Sequence, residues 1–204
     1  MVNAILYLEG GGDSKELHTR CREGFRRLLE ACGFSGRMPR LVACGGRSSA
    51  FDDFTAAHRA KNATFVGLWI DSEDYPEDGE RTWVHLKVRD GWEKPEGAQD
   101  DQVFLMTVCM ETWIVADRKA LREQYGRQLQ ESGLPPLSDL EQRPRHDIQD
   151  KLVHATRNCV GPYAKGRRSF EVLARLTPET LERLLPSFAR ARRILGGKLS
   201  GKKT

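Results

Sequence analysis

The sequence predicts an α/β protein in which a mostly parallel sheet is flanked by helices and followed by a helical C-terminal part. Two observations carry this. Three short apolar runs, residues 4–8 (AILYL), 40–44 (RLVAC) and 65–70 (FVGLWI), lack the polar–apolar alternation of a half-exposed strand and suit strands buried on both faces. The stretches between them carry apolar residues at helical spacing. A β-α-β-α-β order joined by right-handed crossovers gives a parallel sheet with helices on its faces.

The first helix is predicted from Leu17, Cys21, Phe25, Leu28 and Cys32, with Asp13 or Ser14 as N-cap and Gly33 as its stop. Phe51, Phe54 and Ala57 mark a shorter second helix, with Ser49 and Asp52 resembling a capping box at its start. After the third run comes an acidic loop, residues 71–80, with six carboxylates in ten positions. Residues 83–88 are expected to return as a strand, 90–102 to form a polar loop, and 103–108 to form a further strand. One helix is expected over 110–125, with Met110, Trp113, Ile114, Leu121 and Tyr125 on one face. Beyond a Pro-containing connection at 133–144, helices are predicted over 147–158, 168–176 and from Thr177 onward, where Thr177-Pro178 makes an N-cap and N1 pair. The expected organisation is an α/β domain over 1–130, a helical extension packed on it over 131–195, and a basic flexible tail over 196–204.

At 204 residues, with 39 % hydrophobic and 30 % charged positions, the chain can bury one sizeable core and is not disordered in composition. No apolar run approaches the ~20 residues of a membrane span. The apolar stretch from Ala4 lacks the basic segment and cleavage site of a signal peptide. The five cysteines form no C-x-x-C pair, which argues against structural zinc and a disulfide framework and favours a reducing cytoplasm. The net charge of +4 hides an asymmetry: residues 151–204 carry +10 and residues 1–150 carry −6. A basic C-terminal third suggests attraction to a polyanion, with a solvated basic surface as the plainer alternative.

In an open parallel sheet, ligands gather beyond the carboxyl ends of the strands. Glu9 ends the first run; Asp71 and Glu73 follow the third. Brought to one sheet edge, these carboxylates repel one another and raise one another's pKa unless a cation neutralises them. A hard divalent ion such as Mg²⁺ or Mn²⁺ suits an all-oxygen set, and can activate water and stabilise a leaving oxygen in phosphodiester cleavage. The alternative is that these are plain loop and cap residues. Residues 9–14 (EGGGDS) follow a strand and open a helix, but both Gly-rich nucleotide fingerprints fail: Glu16 follows Lys15, and Lys15 stands where a final Gly would be needed. Glu111, after an apolar run, is either another ligand or a favourable charge at a helix N-terminus. Lys165, beside Arg167 and Arg168, is either a phosphate contact or part of a solvated turn. Asp117 falls on the apolar stripe of its helix and requires a partner.

The strand–Glu-Gly-x-x-Asp–helix opening (EGGGDSKEL, residues 9–17), followed by a strand ending in Asp71-x-Glu73, resembles the Toprim domain of topoisomerases, primases and overcoming-lysogenization-defect (OLD) nucleases, with the OLD type the nearest match. With CMETW at 109–113 and YAKGRRSF at 163–170, the whole chain resembles a family of small stand-alone Toprim-like proteins of uncharacterised function that often accompanies an ATPase in bacterial genomes and is linked with anti-phage defence. The resemblance implies a Toprim/Rossmann-like sheet over about residues 1–110. It implies that Glu9 acts as metal ligand or general acid/base and that Asp71 is the first acid of a D-x-D motif. Glu73 stands where a second Asp is usual, and Asp74 is a substitute for it. Asp13 matches a further acid, though N-capping explains it equally. The chain lacks room for a strand-passage domain, and its cysteine spacing does not suit a primase. Two functions follow, beside a nucleotide-binding regulator that would use the Gly-rich turn. One is a Mg²⁺- or Mn²⁺-dependent nuclease on DNA or RNA, with Glu9, Asp71, Glu73 and Lys165 catalytic, Asp74 and Glu111 as further ligands, Lys165, Arg167 and Arg168 on the nucleic acid, and an ATPase partner. The other is a non-catalytic subunit that docks on that ATPase.

Overall fold

The computed structural model describes residues 3–200. Its elements run β1 (Ala4–Gly11), α1 (Lys15–Leu29), β2 (Arg40–Gly45), α2 (Arg47–Ala60), β3 (Phe65–Asp71), α3 (Thr82–Asp90), β4 (Val103–Met106), α4 (Met110–Ala116), α5 (Arg118–Tyr125), α6 (Arg145–Thr156), α7 (Arg167–Leu173), α8 (Pro178–Leu184) and α9 (Pro186–Leu199). Among the described residues, four parallel strands form one sheet in the order β2-β1-β3-β4. The arrangement is Rossmann/Toprim-like. The chain leaves β1 toward β2 on one side and returns to β3 on the other, so the carboxyl ends of β1 and β3 flank the crevice where such sheets bind ligands.

Both faces of the sheet are covered, which explains the uninterrupted apolar runs. Val66, Leu68 and Ile70 of β3 join Phe54 of α2 and Trp83 and Leu86 of α3 in one cluster. Phe65 and Trp69 point to the other face, into a larger cluster with Leu6 and Leu8 of β1, Phe25 and Leu28 of α1, and side chains from α4 to α9. An aromatic chain crosses that core: Phe25 to Trp69 at 5.3 Å, Trp69 to Trp113 at 5.7 Å, and Trp113 to Phe188 at 5.0 Å between ring centroids. Such pairs add roughly 0.5–1.5 kcal/mol each beyond area burial and tie the sheet to α4 and α9. No helix among the described residues is long and apolar enough to cross a membrane.

The local expectations meet several corrections. Ser14, not Asp13, caps α1 by accepting from the Leu17 amide at 3.3 Å. Gly33 ends the turn beyond α1 with a φ of 88°. Helix α2 begins at Arg47 after an extended Gly46, so Ser49 and Asp52 lie inside it and cap nothing. Residues 83–88 are helical: Trp83 and Leu86, three apart, are buried, while Val84 and Val88 are exposed on the outer face. The helix expected over 110–125 breaks at Asp117, whose carboxylate accepts from the Ala120 amide at 3.0 Å and the Thr177 amide at 2.7 Å. That supplies the partner a buried carboxylate requires. Pro186 separates α8 from α9. Residues 196–199, expected in a flexible tail, close α9, with Leu199 buried and Lys198 paired with Asp101. The rest of that tail, 201–204, lies outside the described residues.

Part of the basic C-terminal third is paired within the fold. Arg190 and Arg193 pair with Glu80, Arg192 with Glu179 and Glu182, and Arg167 and Arg168 with Glu171. The charge asymmetry of the chain is therefore partly consumed by packing a basic segment on an acidic one.

Candidate metal centre

Glu9 stands near the end of β1 and Asp71 is the last residue of β3. The Asp71 amide donates to Glu9 Oε2 at 3.1 Å, which fixes the two ends together. β3 ends at Asp71, so Glu73 is placed by the turn that follows and not by strand alternation. Glu73 has a φ of 68°, in the left-handed region, and its amide donates to the Val108 carbonyl at 2.8 Å. The result is that Glu9, Asp71 and Glu73 each offer a carboxylate oxygen, all within 4.8 Å of one another.

The Gly-rich turn after β1 is shaped by contact. Gly11 has a φ of 96°, and a Cβ there would meet the His18 ring at 2.5 Å and the His18 backbone nitrogen at 2.9 Å. The His18 ring also bonds the Gly12 carbonyl at 2.6 Å, and His85 bonds the Ser72 carbonyl at 2.9 Å. Two histidines thus hold the turns that carry the carboxylates.

Glu9, Asp71 and Glu111 line one cavity of about 330 Å³ with Gly10–Gly12, Lys165 and Phe170. Glu111, in the first turn of α4, is only 2 % exposed; it accepts from the Tyr163 hydroxyl at 2.7 Å and from Gln149 at 3.2 Å. Lys165 Nζ lies 3.9 Å from it. Burial, and then the Glu111 charge, push the Tyr163 phenol above its usual range, so it remains a donor. Asp71 Oδ1 accepts from the Met110 amide at 2.9 Å. Burial first, then the neighbouring Glu9 and Glu111 carboxylates, hold Asp71 well above the usual carboxylate range. Burial also raises Glu9, against the pull of the Arg47 guanidinium 3.6 Å away. Burial is the first cause for both, and for Asp71 the neighbouring carboxylates add to it. The donors are all oxygen and could hold a divalent ion such as Mg²⁺ or Mn²⁺. Burial pushes the thiols of Cys21, Cys32 and Cys44 up to about 12, so they stay protonated and do not compete as ligands.

The structure divides the other sequence candidates. Glu111 and Lys165 come to the cavity. Asp74 does not join the three carboxylates: its side chain is 74 % exposed and pairs with Arg89. Arg167 and Arg168 lie in the first turn of α7, paired with Glu171 and outside the cavity lining. Sequence reasoning missed Arg47, which chelates Asp90 at 3.0 and 2.7 Å, donates to the Asp71 carbonyl and sits over the Trp92 ring at 5.1 Å. Its one sequence signal is its place directly after Gly45-Gly46, at the carboxyl end of β2. Arg145 and Arg89, which pair with Glu73, carry no such signal.

Fold and site together define a parallel α/β protein that collects carboxylates at its topological switch point. The chain belongs to the family described as Domain of unknown function (DUF4276), whose model matches residues 8–194. No curated protein and no solved structure matches it.

Proposed function

We propose that the protein is a divalent-metal-dependent phosphodiesterase of Toprim-like type, a nuclease acting on DNA or RNA. The observation that carries this is the convergence of Glu9, Asp71 and Glu73 from two separate strands within 4.8 Å. A bound Mg²⁺ or Mn²⁺ would polarise a phosphoryl oxygen and lower the pKa of water. Asp71, tied to Met110, and Glu9, tied to the Asp71 amide, are held rigidly enough to present fixed oxygens to it. Lys165, on the same cavity wall, supplies a positive charge for a phosphate, and Glu111 orients it from below. Arg47, 3.6 Å from Glu9, pulls against the burial that raises its pKa. The resemblance to small stand-alone Toprim-like proteins that accompany an ATPase further supports an effector working with an ATPase partner in defence against phage.

The test is cleavage of plasmid and of RNA in Mn²⁺ or Mg²⁺. Loss of at least about 100-fold in rate for Glu9→Gln and Asp71→Asn is the expected outcome, on the scale of removing a group that acts only in the transition state. Equal degradation by wild type and Glu9→Gln would remove the carboxylates from the mechanism. A second reading, a non-catalytic subunit docking on an ATPase, is favoured by one observation: Glu73 is already engaged by Arg145 and Arg89. Calorimetry separates the two, since that reading expects no Mn²⁺ binding that depends on Asp71.

A further inference from the structure

Beside the acidic cluster lies a second cavity, of about 460 Å³, that the metal reading does not use. Arg89, Arg143, Arg145 and His146 line it together with Glu73, and Tyr75 stands on its rim with half its surface exposed. The arginines of the C-terminal helices, Arg167, Arg168, Arg190 and Arg192, are each paired with a carboxylate. Here Arg89 pairs with Glu73, Asp74 and Asp90, and Arg145 with Glu73, while Arg143, among the described residues, pairs with no carboxylate and reaches only the Ser138 carbonyl at 3.5 Å. Arg143 has a buried Nε with no hydrogen-bond partner, although buried donors are nearly always satisfied. Helix α6, twelve residues long, begins in the same wall at Arg145, and Pro144 at its N-cap offers no side-chain acceptor for the first amides. Guanidinium groups, an unspent donor and an uncapped helix start all favour an oxyanion.

We propose that this cavity is an anion site that holds a backbone phosphate of a nucleic-acid strand, adjacent to the phosphate at the acidic cluster, and that Glu73 links the two sites. The proposal rests on the nuclease reading and gives it a strand path. Glu73 has one carboxylate for two tasks: it lies within 4.8 Å of the Glu9 and Asp71 oxygens and is also the partner of Arg145 and Arg89. A cation that draws Glu73 toward Asp71 releases Arg145 for phosphate, and a phosphate on Arg145 releases Glu73 for the cation. The two ligands therefore bind with positive coupling, equal in both directions. Tyr75 offers a face on which the neighbouring base can stack.

The experiment is fluorescence anisotropy with a short labelled single-stranded oligonucleotide over a salt series, in Ca²⁺ and in chelator, with Mn²⁺ calorimetry on the same proteins. The expected result for the pair Arg143→Gln and Arg145→Gln is an affinity loss of about tenfold or more and a salt slope lower by roughly 1.4, from two lost single-strand contacts. Arg143→Lys with Arg145→Lys, which keeps the charges, should retain the slope and so exclude a folding defect. Cation should tighten oligonucleotide binding in wild type and no longer do so in Glu73→Gln. An affinity and slope within twofold of wild type for the double Gln variant overturns the proposal, as does a wild type that does not bind the oligonucleotide. Loss of inorganic phosphate binding alone, with the oligonucleotide unaffected, overturns the nucleic-acid assignment. If the oligonucleotide results hold while calorimetry finds no Mn²⁺ binding, the anion site stands, and the metal reading and the Glu73 link fall.

Discussion

Asp71→Asn should make the protein more stable and less able to hold a cation, and the two effects can be read in one assay. The three carboxylate oxygens lie within 4.8 Å of one another. At an effective dielectric of ~20, one like-charge pair at that separation costs about 3 kcal/mol. Arg47 beside Glu9 and Arg145 on Glu73 offset part of this, leaving a net relief of roughly 1–3 kcal/mol when the Asp71 charge is removed. The substituted amide keeps an oxygen for the Met110 donor and gains an N–H that can face Glu9. In a chain of this size the relief corresponds to a Tm increase of roughly 3–10 °C. Because burial and the neighbouring carboxylates raise the Asp71 pKa, the gain grows as pH rises; thermal denaturation in chelator across a pH series is therefore the assay. Mn²⁺ at about 100 times its Kd should then add about 2.7 kcal/mol to wild type and nothing to the variant. A variant that melts below wild type in chelator, and that shifts equally with Mn²⁺, would refute the reasoning.

Other consequences are independent of the metal. Burial pushes Glu141 up to about 7 from 4.5, only partly countered by the Ser187 amide and hydroxyl that donate to it. The folded state therefore binds this proton more tightly, and stability is full below pH ~4.5 and falls by ~3 kcal/mol as pH rises to ~7. Urea denaturation of Glu141→Gln should show that much less loss across the same window; an identical pH profile would contradict it. Gly11→Ala places a Cβ at positive φ against His18, and should cost at least about 2 kcal/mol in Tm-derived stability, whereas a neutral result would mean the turn can relax. Asp117→Ala strips the buried Ala120 and half-buried Thr177 amides of their acceptor and should destabilise by roughly 2–4 kcal/mol in denaturant titration, with a loss below 1 kcal/mol counting against it.

The strands were legible because burial on both faces leaves unbroken apolar runs, and the site carboxylates were legible because those runs stop at them. Residues 83–88 were not: with Val84 and Val88 exposed, chance surface apolar residues filled in a helical stripe until it looked like a strand. The break at Asp117 depends on an amide sixty positions away, Thr177, which no local pattern reveals. Helix α2 begins on backbone geometry at Gly46, so the side chains of Ser49 and Asp52 misled. The partners that tune the carboxylates, Arg47, Tyr163 and Arg145, come from three distant segments, and only the fold brings them together. Net charge likewise does not show that Glu80 and Asp101 pair with the basic helix α9.

Crystals soaked in Mn²⁺ and measured at a wavelength where manganese scatters anomalously would locate the ion directly. An anomalous peak roughly 2.1 Å from carboxylate oxygens of both Glu9 and Asp71, in the crevice between β1 and β3, is the expected result. A fully soaked crystal with no peak there, or with manganese bound only elsewhere, would contradict the claim that these strands were brought together to hold a cation.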